Sequence, residues 1–248
     1  RLVSPGLEEY SLDLDRDLAD YCYYDAGDVV LPPGSLQESL HRIGAVTAKI
    51  LKGSKFPLVI GGEHLVSLAV IKEVAASYPE LAVIQLDAHA DLREDYLGER
   101  YSHATVMRRV ADLVGGENIY QLGIRSGTRE EIEFGRKHTN LFLNELIQPL
   151  QEIIPLLKGR PVYVTLDIDV VDPAYAPGTG AAEPCGCTSR EIIQALHLLG
   201  ELYVVGFDLV EVSPLYDPSE RTALLAAKLV REAILTFSRR PKRLRSGP

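Results

Sequence analysis

Apolar residues recur along the chain in two alternating patterns. Short continuous apolar runs predict buried strands. They lie near 29–31, 57–60, 81–86, 118–122, 162–166 and 202–207. Between them, longer segments have apolar residues at helical spacing; one example, after Asp217, ends near Phe237. Strands that alternate with helices predict an α/β fold of three layers, in which helices cover both faces of a mostly parallel central sheet.

Four of the predicted helices have recognisable start signals. Segments 35–38, 128–131 and 188–191 each place a serine or threonine three positions before a glutamate, which is the pattern of a capping box. Asp217, followed by Pro218 and Glu220, predicts an acidic N-cap with proline at the first helical position and glutamate at the third.

Polar residues follow four of the predicted strands. They are His64 after 57–60, Asp87, His89 and Asp91 after 81–86, Asp167 and Asp169 after 162–166, and Glu211 after the strand at 202–207. In open parallel sheets ligands gather outside the carboxyl ends of the strands. These distant segments are therefore expected to share one site.

The spacing of these residues indicates a metal pair. Side chains at i, i+2 and i+4 of an extended segment point to the same side, so Asp87, His89 and Asp91 can converge, as can Asp167 and Asp169. Together with His64, four carboxylates and two imidazoles are too many for one ion and suit two ions with bridging carboxylates. An oxygen-rich site with some imidazole favours manganese or magnesium over zinc.

Each motif alone also has an ordinary structural explanation. His64 after two glycines is compatible with a structural histidine, and a lone Asp-x-Asp is common in solvated loops. Unpaired carboxylates behind a buried strand are costly to desolvate. The combination of both aspartate motifs at strand ends therefore favours the metal site.

Composition narrows the class of protein. The chain has 248 residues, 46% of them hydrophobic, which suits one domain spanning 1–248. The net charge of −9 argues against nucleic acid as a partner. No apolar run approaches the length of a membrane span. The three cysteines form no disulfide framework, so a cytoplasmic location is expected.

The basic tail at about 238–248 is expected to be solvated, with an anionic partner or a neighbouring subunit as the alternatives.

The motifs resemble those of a known family. Gly61-Gly62-Glu63-His64, the segment 87–91 and the segment 165–173 are similar to the three signatures of the ureohydrolases, the arginase and agmatinase family. The similarity runs from about 12 to 237. Segments 173–180, 183–184 and 208–214 most resemble the agmatinase branch.

The resemblance implies an arginase-like fold and a binuclear manganese hydrolase with two Mn²⁺ ions per subunit. Such an enzyme would cleave agmatine to putrescine and urea through attack of a metal-bridging hydroxide on the guanidinium carbon. It would act on a small guanidinium substrate as a homo-oligomer, a trimer or a hexamer.

The resemblance also implies residue roles. One ion would take His64, Asp87, Asp91 and Asp167, and the other Asp87, His89, Asp167 and Asp169. Among the catalytic residues, Asp91 would orient the hydroxide, Glu211 would hold the guanidinium group, and His103 would protonate the leaving amine.

The chain departs from the family pattern at two places. Glu63 stands where many members have aspartate. The first N-terminal strand expected for the family is also missing before Gly6. A fragment, a disordered or processed segment, and true loss of the strand are the open explanations.

Other functions stay open at the sequence level. The same chemistry could act on arginine or guanidinobutyrate, and a non-catalytic metal-binding oligomer subunit or an amidohydrolase with a single zinc ion are further alternatives. Glu94, Asp95 and Glu99 could receive the cationic end of agmatine, or they could lie on a solvated loop.

Overall fold

The computed structural model describes residues 3–238 and centres on a six-stranded parallel sheet. A small antiparallel hairpin, β1 (Tyr10–Ser11) and β2 (Arg16–Asp17), precedes it. The strands of the sheet are β3 (Leu58–Ile60), β4 (Ala82–Leu86), β5 (Ile119–Ile124), β6 (Asn140–Leu143), β7 (Pro161–Asp167) and β8 (Tyr203–Val210). Their spatial order is β3-β8-β7-β4-β5-β6, and every pair is parallel.

Helices cover both faces of this sheet. They are α1 (Leu36–Lys52), α2 (Val66–Ser77), α3 (Val106–Val114), α4 (Arg129–His138), α5 (Ile147–Leu157), α6 (Ser189–Leu199) and α7 (Arg221–Phe237). Side chains of α5, α6 and α7 form one hydrophobic core with the sheet, and side chains of α1 to α4 pack into the other. The predicted three-layer, mostly parallel α/β fold is confirmed.

The strands divide their side chains between these two cores with a period of two. In β7, Val162, Val164 and Leu166 enter the core beneath α5 to α7, whereas Tyr163 enters the opposite core. A fully buried aliphatic side chain of this kind contributes about 1.5–3 kcal/mol. The central strands are therefore held on both faces, which fixes the positions of their carboxyl ends.

Two of the four predicted helix-start signals are confirmed and two are not. Thr128 and Thr188 each form a complete capping box with a glutamate, as predicted. Ser35 is the N-cap of α1 but makes no side-chain capping hydrogen bond. The predicted start at Asp217 is wrong, because α7 begins at Arg221. The Asp217 carboxylate accepts instead from Ser219 and Thr222 and so organises the turn before the helix.

One predicted strand is wrong, and the sequence missed one strand of the central sheet as well as the small hairpin β1–β2. Residues 29–31 have no regular structure, and Val30 is 78% exposed. Two prolines follow at once, and proline lacks the N–H that a sheet requires. The missed strand, β6, is a four-residue edge strand with only half-buried side chains.

No helix within residues 3–238 is both long and apolar enough to span a membrane. The predicted basic tail falls almost wholly at 239–248, outside the described residues. The single-domain assignment of 1–248 stays a prediction.

Candidate metal centre

The predicted ligands lie at the carboxyl ends of neighbouring strands. β3, β8, β7 and β4 are consecutive in the sheet. His64 follows β3, Glu211 follows β8, Asp167 ends β7, and Asp87 follows β4 directly. Short connections after these strands leave the side chains little choice of position. The convergence expected from the sequence is present.

His64 lies at the centre of three carboxylates. Its Nδ1 atom is 3.1 Å from Asp87 Oδ2, 3.0 Å from Asp91 Oδ2 and 3.4 Å from Asp167 Oδ2. The side chain is 1% exposed, and the buried Nδ1 makes no hydrogen bond of acceptable geometry. A buried ring nitrogen that faces three carboxylates and makes no hydrogen bond needs an explanation, and a cation bound between these groups would provide one.

A second group adjoins the first. His89 Nδ1 lies 2.8 Å from Asp169 Oδ2 and 3.8 Å from Asp87 Oδ1. Ligand atoms of Asp87, His89 and Asp169 therefore lie close enough to hold one ion, as do those of His64, Asp87 and Asp91. Asp87 belongs to both groups, which makes it a candidate bridging ligand.

Backbone amides near the cluster fix its carboxylates. The N–H of His89 donates to Asp87 Oδ1 at 2.7 Å, and the N–H of Asp169 donates to Asp167 Oδ1 at 2.9 Å. The N–H of Ala88 donates to Asp169 Oδ1 at 3.0 Å. Each of these aspartates is thereby oriented by one oxygen, and the other oxygen faces the cluster.

The cluster carries more buried negative charge than its histidines can balance. Burial raises the pKa of Asp167 well above its ordinary range, and the charges of Asp169 and Asp87 add to the effect. Burial, with the charge of Asp87, raises the pKa of Asp91 to about 6. Burial opposes protonation of His89, yet the hydrogen bond and charge of Asp169 raise the pKa of that imidazole to about 9. A bound divalent cation would supply the missing positive charge.

These donors suit a pair of hard divalent ions. Adjacent ligand atoms around an octahedral ion lie about 3 Å apart, because the metal–oxygen distances are about 2.1 Å. The spacings from His64 Nδ1 to its three carboxylates match that value. The oxygen-rich donor set with imidazole is compatible with a divalent metal ion.

Two acidic site residues have left-handed backbone conformations. Asp91 has φ 54° and Glu211 has φ 63°, a region that non-glycine residues rarely adopt. Such conformations cost about 1–3 kcal/mol and persist where surrounding structure enforces them. Sequence reasoning found both residues but not this strain.

Glu211 lies against the cluster. Its Oε1 accepts a hydrogen bond of 2.7 Å from the backbone N–H of His64, and its own N–H donates to the carbonyl of Gly62. Burial raises the pKa of the Glu211 carboxyl. The side chain is half-buried, so a carboxylate is available to a cation at the edge of the candidate metal centre.

His103 is not among the candidate ligands. It begins a short 3₁₀ turn, half of its side chain is exposed, and its Nδ1 lies 3.7 Å from Glu63 Oε2. The ring of Tyr96 packs against it edge-on with centroids 5.3 Å apart. The departure at Glu63 thus places a carboxylate beside His103.

The acidic loop after Asp91 is less open than the sequence suggested. Glu94 pairs with Arg108 at 3.0 Å and Arg109 at 3.3 Å, and Asp95 accepts from the N–H of Gly98. Glu94 is therefore balanced by two arginines and does not stand free to receive a cation.

Sequence reasoning missed a row of buried polar side chains beneath the site. Asp208, Thr165, Gln85 and Gln121 are register partners across β8, β7, β4 and β5, and none is exposed. Gln85 Nε2 donates to Asp87 Oδ2 at 2.7 Å, and Thr165 Oγ1 lies 2.9 Å from His64 Nε2. A signal was available, because Gln85 and Thr165 each stand two positions before a candidate ligand in an otherwise apolar strand.

Comparison with known proteins is consistent with this geometry. The sequence model of the arginase family matches residues 1–236. An agmatinase of Bacillus anthracis is 52% identical over 95% of this chain and 82% of its own length. An agmatinase of Bacillus subtilis is 52% identical over 96% of this chain and 83% of its own length. A crystal structure of a relative from Clostridium difficile superposes with a TM-score of 0.93 at 42% identity, covering 96% of this chain and 87% of the other.

Proposed function

This chain belongs to the arginase family and is an agmatinase-like amidinohydrolase, and from that premise we propose that it hydrolyses agmatine to putrescine and urea with two manganese ions. The observation that carries the proposal is the contact between Glu211 and His64. This contact supports the proposal because the Glu211 carboxylate, which would bind the guanidinium group, lies directly beside a candidate metal ligand.

Two sets of residues would hold the ions. His64, Asp87, Asp91 and Asp167 would form one set, and Asp87, His89, Asp167 and Asp169 the other. Ions bound there would supply Lewis acidity that lowers the pKa of water enough for attack near neutral pH. The unbalanced charge of the cluster and the unpaired Nδ1 of His64 support this assignment.

The chain's own side chains would perform the remaining steps of the proposed reaction. Glu211 would bind the guanidinium nitrogens through charge-assisted hydrogen bonds. Asp91, whose carboxylate faces His64 Nδ1, would accept a hydrogen bond from the attacking water and orient it. His103 is half-exposed at the rim and would donate the proton that the leaving amine requires.

The cytoplasmic location and the trimeric or hexameric assembly stay predictions. They rest on the cysteine content and on the resemblance to the family, respectively.

The test is urea release by the purified chain. With manganese we expect urea from agmatine and much less from arginine or guanidinobutyrate, and none after the metal is stripped by a chelator. The matched variant is Glu211→Gln, which keeps an oxygen for the His64 N–H but removes the charge. We expect its kcat/KM for agmatine to fall on the order of 10²-fold with unchanged manganese content.

Either of two results would contradict the proposal. One is a chain that binds two ions and releases urea from none of the three compounds. The other is a Glu211→Gln variant as active as the parent protein. Preference for arginine would keep the reaction class and change the substrate.

A further inference from the structure

A buried chain of hydrogen bonds begins at the ring nitrogen of His64 that faces away from the cluster. His64 Nε2 lies 2.9 Å from Thr165 Oγ1, and that hydroxyl donates to Asp208 Oδ1 at 2.6 Å. The hydroxyl of Tyr163 donates to the other oxygen, Asp208 Oδ2, at 2.5 Å. His64 is 1% exposed and the other three residues 0%. Nothing in the proposed reaction uses Tyr163, Thr165 or Asp208.

The direction of these hydrogen bonds fixes the proton on His64. A hydroxyl has one proton to donate, and Thr165 gives it to the carboxylate of Asp208. Thr165 therefore acts as an acceptor in its other contacts, with His64 Nε2 and, at 3.4 Å, with Ser67 Oγ, so in the neutral imidazole Nε2 of His64 is the protonated ring nitrogen. The other nitrogen, Nδ1, is left with a free lone pair, and it is the atom surrounded by carboxylates.

We propose that Thr165 and Asp208 are positioning residues that hold His64 as a metal ligand by fixing its tautomer and the rotation of its ring. This inference rests on the metal centre of the proposed function. Both residues are fully buried behind the His64 ring and would act through it.

The sheet itself enforces this arrangement. Thr165 and Asp208 are register partners on the adjacent strands β7 and β8, and Thr165 lies two residues before Asp167. The side chain that orients His64 and the candidate ligand Asp167 therefore leave the same strand on the same face. Partners of this kind change the affinity of a metal site by about 10- to 100-fold when they are removed.

The test measures manganese binding rather than turnover. Free Mn²⁺ is quantified by electron paramagnetic resonance during titration of the metal-free full chain. For Thr165→Val we expect one of the two ions to bind about 10- to 100-fold more weakly, with the second ion little affected. Thr165→Ser retains the hydroxyl and should restore the binding of the parent chain.

The control for loss of a buried hydroxyl is Thr47→Val. Thr47 is also buried, but its hydroxyl donates only to the carbonyl of Ile43 within α1 among the described residues. We expect this variant to bind both ions normally. Should Thr165→Val fold poorly, Asp208→Asn provides a second variant of nearly unchanged volume, and it should weaken the same ion.

Three outcomes would overturn the inference. They are normal binding by Thr165→Val, an equal loss of both ions, and failure of Thr165→Ser to restore binding. These differ from failure of the proposed function, which is absence of urea from a chain that binds its manganese. A parent chain that binds no manganese would overturn both proposals.

Discussion

Two ionic clusters in this protein are built from similar residues but differ in charge balance. One contains an arginine that balances its carboxylate, and the other has more carboxylates than cationic side chains. The metal-centre cluster consists of the six candidate ligands. The Glu232 cluster consists of Glu232, Arg231, His197 and Ser11, where α7 meets α6 and the N-terminal hairpin. Glu232 accepts from Ser11 Oγ at 2.9 Å and from His197 Nε2 at 2.9 Å, and it pairs with the guanidinium of Arg231.

The pKa values of Glu232 and of Asp167 are shifted in opposite directions. Burial works against the charge of Glu232, but hydrogen bonds from Arg231, His197 and Ser11 prevail and lower the pKa of that carboxyl. In the metal-centre cluster burial and neighbouring anions together raise the pKa of Asp167. A buried carboxylate that finds its cation within the chain stabilises the fold. A group of carboxylates that does not is evidence of an external cation.

The largest effect is expected from Asp167→Asn, which changes one carboxylate of the metal-centre cluster. With manganese, we expect urea release to fall on the order of 10³-fold, because loss of a bridging ligand removes several kcal/mol of metal assistance. In the presence of a chelator the same variant should unfold in urea at an unchanged or higher midpoint, since one of several repelling charges is gone. Urea release and chemical denaturation are measured on the same preparation.

The control for this prediction is Glu211→Gln, which removes a carboxylate that is not one of the six candidate ligands. It should retain its manganese while Asp167→Asn loses it. If Asp167→Asn were strongly destabilised in the metal-free state, the contrast between the two clusters would not hold.

The next largest effect is expected from Glu232→Gln, which breaks the balanced cluster. Arg231 would then be left buried, and His197 partly buried, without an anion. Removal of one partner from a buried ion pair typically lowers the free energy of unfolding by about 3–5 kcal/mol. Urea denaturation should show this loss with and without manganese. A loss that appears only in the presence of the metal would place Glu232 in the metal site instead.

The smallest effect is expected at Asp217, a buried carboxylate held by neutral donors. Its hydrogen bond from the Ser219 hydroxyl, together with the N–H and hydroxyl of Thr222, lowers the pKa of Asp217 to about 2. Since the value in an unfolded chain is about 3.9, this group stabilises the fold above about pH 4 and loses that contribution as the pH falls towards 2. Asp217→Asn should lower the free energy of unfolding by about 1 kcal/mol at pH 7, because the hydrogen bonds to a charged acceptor are weakened.

The measurement is denaturation of both proteins at steps from pH 7 to pH 3. The difference between them should shrink below about pH 4. A difference that is constant over this range would show that geometry, and not charge, explains the role of Asp217.

Two kinds of structural feature could be predicted from the sequence. One is an element with a repeating apolar pattern, and the other is a polar residue that interrupts such a pattern. Apolar runs predicted five strands of the sheet because most of these strands are buried on both faces and therefore consist mainly of apolar residues. Asp87 and Asp167 stood out because a carboxylate directly behind such a run needs a partner. Residues 29–31 are equally apolar but do not pair with another strand, and the local sequence does not show whether a pairing partner exists.

Other features depend on register and on backbone conformation. The only sequence signal of Thr165 or Gln85 is its position two residues before a candidate ligand, and its importance follows from the residue opposite it across the sheet. The left-handed backbone at Asp91 and Glu211 is imposed by tertiary contacts and opposed by local preference. The local sequence predicts that these side chains lie at the site but does not predict their orientation.

The pairing of β3 with β8 has a consequence for the synthesis of the protein. β3 is an edge strand whose neighbour is β8, with Leu58 opposite Phe207. A chain that emerges from the ribosome N-terminus first therefore holds Leu58–Ile60 without a partner until Tyr203–Val210 has been made. Unpaired strand edges on nascent chains are prone to aggregation. Because His64 follows β3 and Glu211 follows β8, this pairing also completes the site, so His64 could join the other candidate ligands only after the strand that carries Glu211 has been made.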